Sequence, residues 1–168
     1  MRSQVVSEAE AAGERDRLVR KAIPGRRGIR AWESLLRAHA TLVRQLELEI
    51  AQETELTLGD FDVLAQLATG GSQLRMTELA DRAYSSRSGL TRRIDRLESE
   101  GLVRRTGAEA DGRGVTVGLT GAGMKRLKEV TPVHLRGVAK YFVDRLDDRE
   151  LAMLERTLNK VVVDCKFG

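Results

Sequence analysis

Cysteine, aromatic residues, proline and long apolar runs are all scarce in this chain. One cysteine, Cys165, among 168 residues excludes an intrachain disulfide and fits a reducing cytoplasm. Aromatic residues make up 4% of the chain, too few for stacking of single-stranded bases to be its main way of binding nucleic acid. No apolar run is long enough to span a membrane, and the N-terminus lacks the order of a signal peptide, so a cytoplasmic protein is expected. The two histidines, His39 and His134, are far apart and have no metal-ligand spacing. There is no H-E-x-x-H, no P-loop and no nucleophile elbow. The run Gly121-Ala122-Gly123-Met124-Lys125-Arg126 resembles a dinucleotide fingerprint, but Arg126 stands where the third glycine belongs and no strand–helix alternation surrounds it. Neither a metal, a cofactor nor a catalytic group is expected, and the chain reads as a non-enzyme.

What is present is charge and helical periodicity. Charged residues are 32% and hydrophobic residues 41%, enough for one core and a helical extension. The net charge of +4 is modest, but it is concentrated. Residues 85–126 hold nine Lys/Arg against five Asp/Glu, an excess equal to that of the whole chain. Such a local basic stretch is compatible with a nucleic-acid-binding surface without deciding it.

Residues 1–30 form a charged extension that is either a frayed tail or an added helix over 7–22 packing on the dimer, and Pro24-Gly25 breaks whatever precedes it. A long helix follows over 31–51, where Trp32, Leu35, His39, Leu42, Leu46 and Ile50 recur at helical spacing and Leu36 and Val43 widen the stripe. A stripe so wide on a terminal helix predicts burial by a second chain. Thr57 caps the next helix, with Asp60 in its first turn, Phe61, Leu64 and Leu67 on its core face, and Gly70-Gly71 at its end. Leu74, Arg75 and Met76 are expected to add a short third strand to the hairpin described below. A short helix then starts at a Thr77 cap. After Tyr84-Ser85, a second helix over 86–98 buries Leu90, Ile94 and Leu97 and is capped by Ser86. Gly101 ends it. Strands over 102–106 and 115–119 flank a glycine-rich tip and make a β-hairpin. Thr120 caps a long helix in which Pro132 predicts a kink or a break. Asp147 and Glu150 resemble a capping box for a last helix striped by Leu151, Leu154, Leu158, Val161 and Val162.

Two short helices and a hairpin make a winged helix-turn-helix. The second helix presents a narrow, cationic face suited to a DNA major groove. There arginines read guanine edges, while serine and threonine approach bases and phosphates. Ser86, Arg87, Ser88, Thr91, Arg92 and Arg96 are the candidate contacts. Arg113 at the hairpin tip would reach into the flanking minor groove. Asp111 would support the wing by pairing with Arg113 or another arginine. The plainer alternatives are a solvated helix face and a polar hairpin holding a salt bridge.

The stretch Leu79-Ala80, Ser86-Arg87-Ser88, Thr91-Arg92, Asp95-Arg96-Leu97-Glu98, Gly101-Leu102-Val103 resembles the MarR family of winged-helix transcriptional regulators. Residues 111–123 fit that family's wing pattern, D-x-R-x-x-x-V-x-L-T-x-x-G, at every specified position. The resemblance covers residues 31–163. It implies a homodimer that binds a pseudo-palindromic operator in double-stranded DNA, often released by a small anionic or phenolic ligand. Some urate-responsive relatives bracket such a ligand with a Trp, an Asp and two Arg. The matching positions here are Trp32, Asp60 or Asp62, Arg93 and Arg105, with His134 as a further lining residue. The competing reading makes Trp32 core and the Asp–Arg pair structural.

The expected fold is therefore mainly α, a winged helix-turn-helix lobe over 57–120 with dimerisation helices over 31–52 and 121–163, an extension over 1–30 and a tail over 164–168. The expected function is a homodimeric repressor relieved by a small anionic aromatic effector. The alternative is a winged-helix dimer that serves as a protein-interaction module without specific DNA binding.

Overall fold

The computed structural model describes residues 7–23, 26–83, 87–107 and 115–164, with Glu8, Arg26, Arg87, Ser88, Val163 and Asp164 described in backbone only. Helix α1 (Glu8–Ala22) starts at a capping box, in which the Ser7 hydroxyl accepts from the Glu10 N–H and the Glu10 carboxylate accepts from the Ser7 N–H. Helix α2 (Arg26–Glu53) begins five residues before the start expected at 31. The chain forms two compact units, 1–42 and 43–168, and the boundary falls inside α2. In the first unit Arg15 on α1 pairs with Glu33 on α2.

The second unit holds the core. Helix α3 (Leu58–Thr69) opens on the predicted Thr57 cap and buries Phe61, Leu64 and Leu67 as expected, together with Val63. Strand β1 (Gln73–Arg75) is the third strand, one residue earlier than predicted. It runs directly into α4 (Met76–Arg82), so Thr77 is not the cap. Arg75 flanks the helix instead, and Glu78 reaches back to its N–H at 3.0 Å. Helix α5 (Arg87–Ser99) ends two residues before Gly101, whose φ of +72° makes the left-handed turn into β2 (Val103–Thr106). Strand β3 (Thr116–Leu119) lies between the other two in an antiparallel β1-β3-β2 sheet, with Leu74 opposite Val117 and Val103 opposite Leu119.

Thr120 caps helix α6 (Gly121–Tyr141), which runs unbroken through Pro132, so of the expected kink or break the break is absent. Proline forfeits one backbone hydrogen bond. Here Val130 and Val133 bury on either side of it, in the contact of α6 with α3, and hold the helix together. A single 3-10 turn (Val143–Arg145) leads to α7 (Asp148–Asp164), where Asp147 and Glu150 form the predicted capping box. Leu64, Leu67, Leu79, Leu90, Ile94, Leu97 and Val117 are wholly buried, so α3, α4, α5 and the sheet share one core beneath the wing.

Candidate nucleic-acid interface

Helix α5 divides its sides sharply. Leu90, Ile94 and Leu97 are inaccessible to solvent, while Thr91, Arg92 and Asp95 are exposed. The spacing of the three apolar residues fixes which side faces inward. Arg92 makes no ion pair among the described residues and stands in water, free to meet a phosphate or a base edge.

The two arginines on the flank of α5 are not free. Asp60, at the N-terminus of α3, is 0% exposed and holds both. Its Oδ2 accepts from the Thr57 N–H at 2.8 Å and from the Thr57 hydroxyl at 2.6 Å. Its Oδ1 accepts from Arg93 Nη1 at 3.0 Å and pairs with Arg96 Nη2. Burial by itself would raise this carboxyl. The hydrogen bonds from Thr57, Arg96 and Arg93 outweigh it and hold Asp60 below its ordinary value. Gly59 makes room for the cluster, because a Cβ there would sit 2.5 Å from the Arg93 guanidinium. Arg93 also donates to Thr57 Oγ1 at 2.8 Å, so the capping threonine joins the ion pair.

A second cluster ties α5 to the wing. Arg105 on β2 donates through its backbone N–H to Glu98 Oε1 at 2.8 Å, through Nη1 to Glu98 Oε2 at 2.7 Å and through Nη2 to Asp95 Oδ1 at 2.6 Å. At the far end of β3, the Thr120 hydroxyl donates to the carbonyl oxygens of Gly101 and Leu102 at 2.8 and 3.0 Å and accepts from the Gly123 N–H at 3.0 Å. A Cβ on Gly123 would fall 2.1 Å from the Leu102 carbonyl oxygen, so only glycine lets α6 start against the wing. The L-T-x-x-G end of the wing pattern thus has a mechanical reason.

Residues 54–114 match the MarR family model. The chain is 32% identical over 117 residues to an HTH-type transcriptional regulator of Bacillus cereus, covering 70% of this chain and 77% of the relative. The chain belongs to the MarR family. AbsC, a MarR family transcriptional regulator from Streptomyces coelicolor, has a similar structure with a TM-score of 0.71 and 27% identity over 96% of this chain and 97% of that one. Sco3205 from the same organism, solved in complex with DNA, has a TM-score of 0.71 and 26% identity over 96% of this chain and 90% of that one. MarR-family proteins are DNA-binding transcriptional regulators rather than enzymes, and the winged helix is the fold of the family.

In this MarR-family chain the predicted site residues do not all gather. Thr91 and Arg92 stand together on the outward side of α5, whereas Arg96, part-exposed, pairs with Asp60. Ser86, Asp111, Arg113 and Cys165 lie outside the described residues. Of the residues proposed for a ligand bracket, Asp60 and Arg93 come together. Arg105 belongs to Asp95 and Glu98 rather than to Asp60, because β2 places its guanidinium over the outer flank of α5. Asp62 accepts from Gln66 at 3.2 Å, and Trp32 is 53% exposed rather than core. His134 packs on Phe61 with ring centres 4.4 Å apart. Burial holds its imidazole below the ordinary 6.5, with Asp62 opposing the shift. The residues missed from sequence are Asp95 and Glu98. Their signal was the pairing of two carboxylates one turn apart with an arginine just past the Gly101 turn.

Proposed function

We propose that two copies of this chain clasp through their outer helices and act as a repressor on a pseudo-palindromic operator. Each copy lays α5 in a major groove, the two grooves about one DNA turn apart. Ser86, Arg87, Ser88, Thr91 and Arg92 carry the base and phosphate contacts, and Arg113 probes the flanking minor groove. The observation that carries the reading is the division of α5: its apolar side is locked in the core, Arg93 and Arg96 are tied back to Asp60, and Arg92 is left outward and uncommitted. Such a regulator works in the cytoplasm.

A gel shift on the DNA upstream of its own gene, with salt titration, tests this. A sequence-selective shift whose log affinity falls linearly with log salt supports it. Absence of any selective shift overturns it in favour of a protein-interaction module.

Relief by a small anionic or phenolic ligand is part of the same proposal. One buried carboxylate holds two arginines of the recognition helix, so an anion that competes for those arginines would release α5 from α3. Urate and salicylate are the probes. Stabilisation in a thermal-shift assay that disappears in Arg93→Ala supports the ligand reading, and no response to either acid removes it.

A further inference from the structure

We propose that Arg105 is the positioning residue that locks the wing to the recognition helix, with Asp95 and Glu98 as its anchors on α5. The inference rests on the DNA-binding reading above and adds how two separate contact elements come to act as one.

Arg105 makes three hydrogen bonds to two carboxylates that lie three residues apart on the helix. A guanidinium is a planar fork, so fixing two prongs fixes its direction. The third bond comes from the backbone N–H, which pins the strand itself and not only a long side chain. On its other edge β2 is paired with β3, Arg105 standing opposite Val117. The wing therefore cannot pivot against α5 without breaking this joint.

The same joint removes a liability. Asp95 is exposed on α5, three residues from Arg92 and four from Thr91. An uncompensated carboxylate there would meet the phosphates of a docked duplex. Pairing with Arg105 neutralises it while leaving Arg92 uncommitted. A cation whose task was to touch phosphate directly would not be spent on two carboxylates of its own chain.

The two roles predict different couplings. The probe is a duplex of about 30 base pairs, three DNA turns, selected by the full-length protein from a randomised library, with binding read by fluorescence anisotropy. A positioning role predicts that Arg105→Ala weakens binding about tenfold and that the wild-type salt slope returns once Asp95→Asn is added, because the change in slope came from the unpaired carboxylate and not from a lost phosphate contact. Asp95→Asn would weaken or leave binding unchanged in the wild-type background but strengthen it in Arg105→Ala, a change of sign in a double-mutant cycle. Arg105→Lys would not restore binding, since an ammonium cannot bridge both carboxylates. In the free protein, amide hydrogen exchange over β2 would speed up in Arg105→Ala, Asp95→Asn and Glu98→Gln.

A salt slope that stays flatter by about one after Asp95→Asn is added, uniform loss on every duplex and the same gain from Asp95→Asn in both backgrounds would make Arg105 a phosphate contact and overturn the proposal. Unchanged exchange over β2 in all three variants would do the same. Failure of the wild type to select any duplex would sink the DNA reading instead, and the exchange experiment would still decide the joint. Should Arg105→Ala not fold, Asp95→Asn and Glu98→Gln carry that experiment.

Discussion

At the scale of single residues, the energetics turn on Asp60. A carboxylate with no solvent exposure survives as an anion only because Thr57, Arg93 and Arg96 supply hydrogen bonds to both of its oxygens. Asp60→Ala would leave two cations facing the site and cost about 3 kcal/mol, read by urea denaturation, since breaking one side of a buried pair costs more than the pair's net worth. Its pKa is depressed, so its contribution is complete above the ordinary 3.8 and is lost as pH falls through the lower folded value. His134 acts in the same direction at higher pH. Burial depresses its pKa below 6.5, so the unfolded chain binds the proton more readily and stability declines as pH drops from 6.5 toward the folded value. A melting-temperature profile should therefore fall in two stages on acidification, and His134→Gln should abolish the upper one alone. A profile that stays two-staged in that variant would dissociate His134 from it. On the outward side of α5, Arg92→Ala should cost about 1–3 kcal/mol on a selected duplex if it reads a base, with specificity relaxed at one position. A uniform loss with a flatter salt slope would reassign it to a phosphate.

At the scale of elements, Gly123 shows how closely the wing and α6 are fitted. Gly123→Ala would drive a methyl group toward the Leu102 carbonyl oxygen, which stands 2.1 Å from the ideal Cβ position. Relieving that overlap requires the helix start to move, at about 2 kcal/mol, and denaturation of the variant measures it. A loss under a few tenths would show that the helix start yields freely. The elements themselves were largely legible. Apolar spacing located α3, α5 and α7, and the Thr57, Thr120 and Asp147 caps fall where the sequence put them. Thr77 was misread because propensity for a cap is local, whereas β1 already delivers the chain into α4 with Glu78 closing on Arg75. Pro132 does not break its helix for a similar reason: its cost is local, and the burial of Val130 and Val133 outweighs it. The site was legible as a set of residue types but not as pairings. Asp60 chooses Arg93 and Arg96 across more than thirty residues of chain, and Arg105 chooses Asp95 and Glu98, because the angle between α3, α5 and β2 decides which guanidinium meets which carboxylate. Periodicity does not encode that angle.

At the scale of the whole molecule, the apolar surface left in water is where the proposed second copy would sit. On α2, Trp32, Leu35, Leu36 and Val43 are exposed, and on α7 Met153, Val161 and Val162 are exposed, Val162 at 68%. Soluble monomers seldom leave such rows uncovered on two helices. The expected outcome is a light-scattering mass of twice the 18.6 kDa chain at micromolar concentration. Leu36→Asp and Met153→Asp each place a carboxylate in a row that a partner would bury, where an unpaired charge is not tolerated. Together they should give a monomer with its circular dichroism intact, because neither side chain belongs to the buried core. A monomer engages one half-site at a time and so forfeits the effective concentration that a second α5 gains once the first has docked. Affinity for a two-half-site duplex should fall by about 10²–10⁴, while affinity for an isolated half-site should hardly change. That difference separates lost assembly from a damaged interface, because a damaged α5 would lose both. A double variant that remains dimeric and binds as before would show that these rows meet something other than a second copy, and a wild-type chain that is monomeric at micromolar concentration would dismantle the two-groove reading altogether.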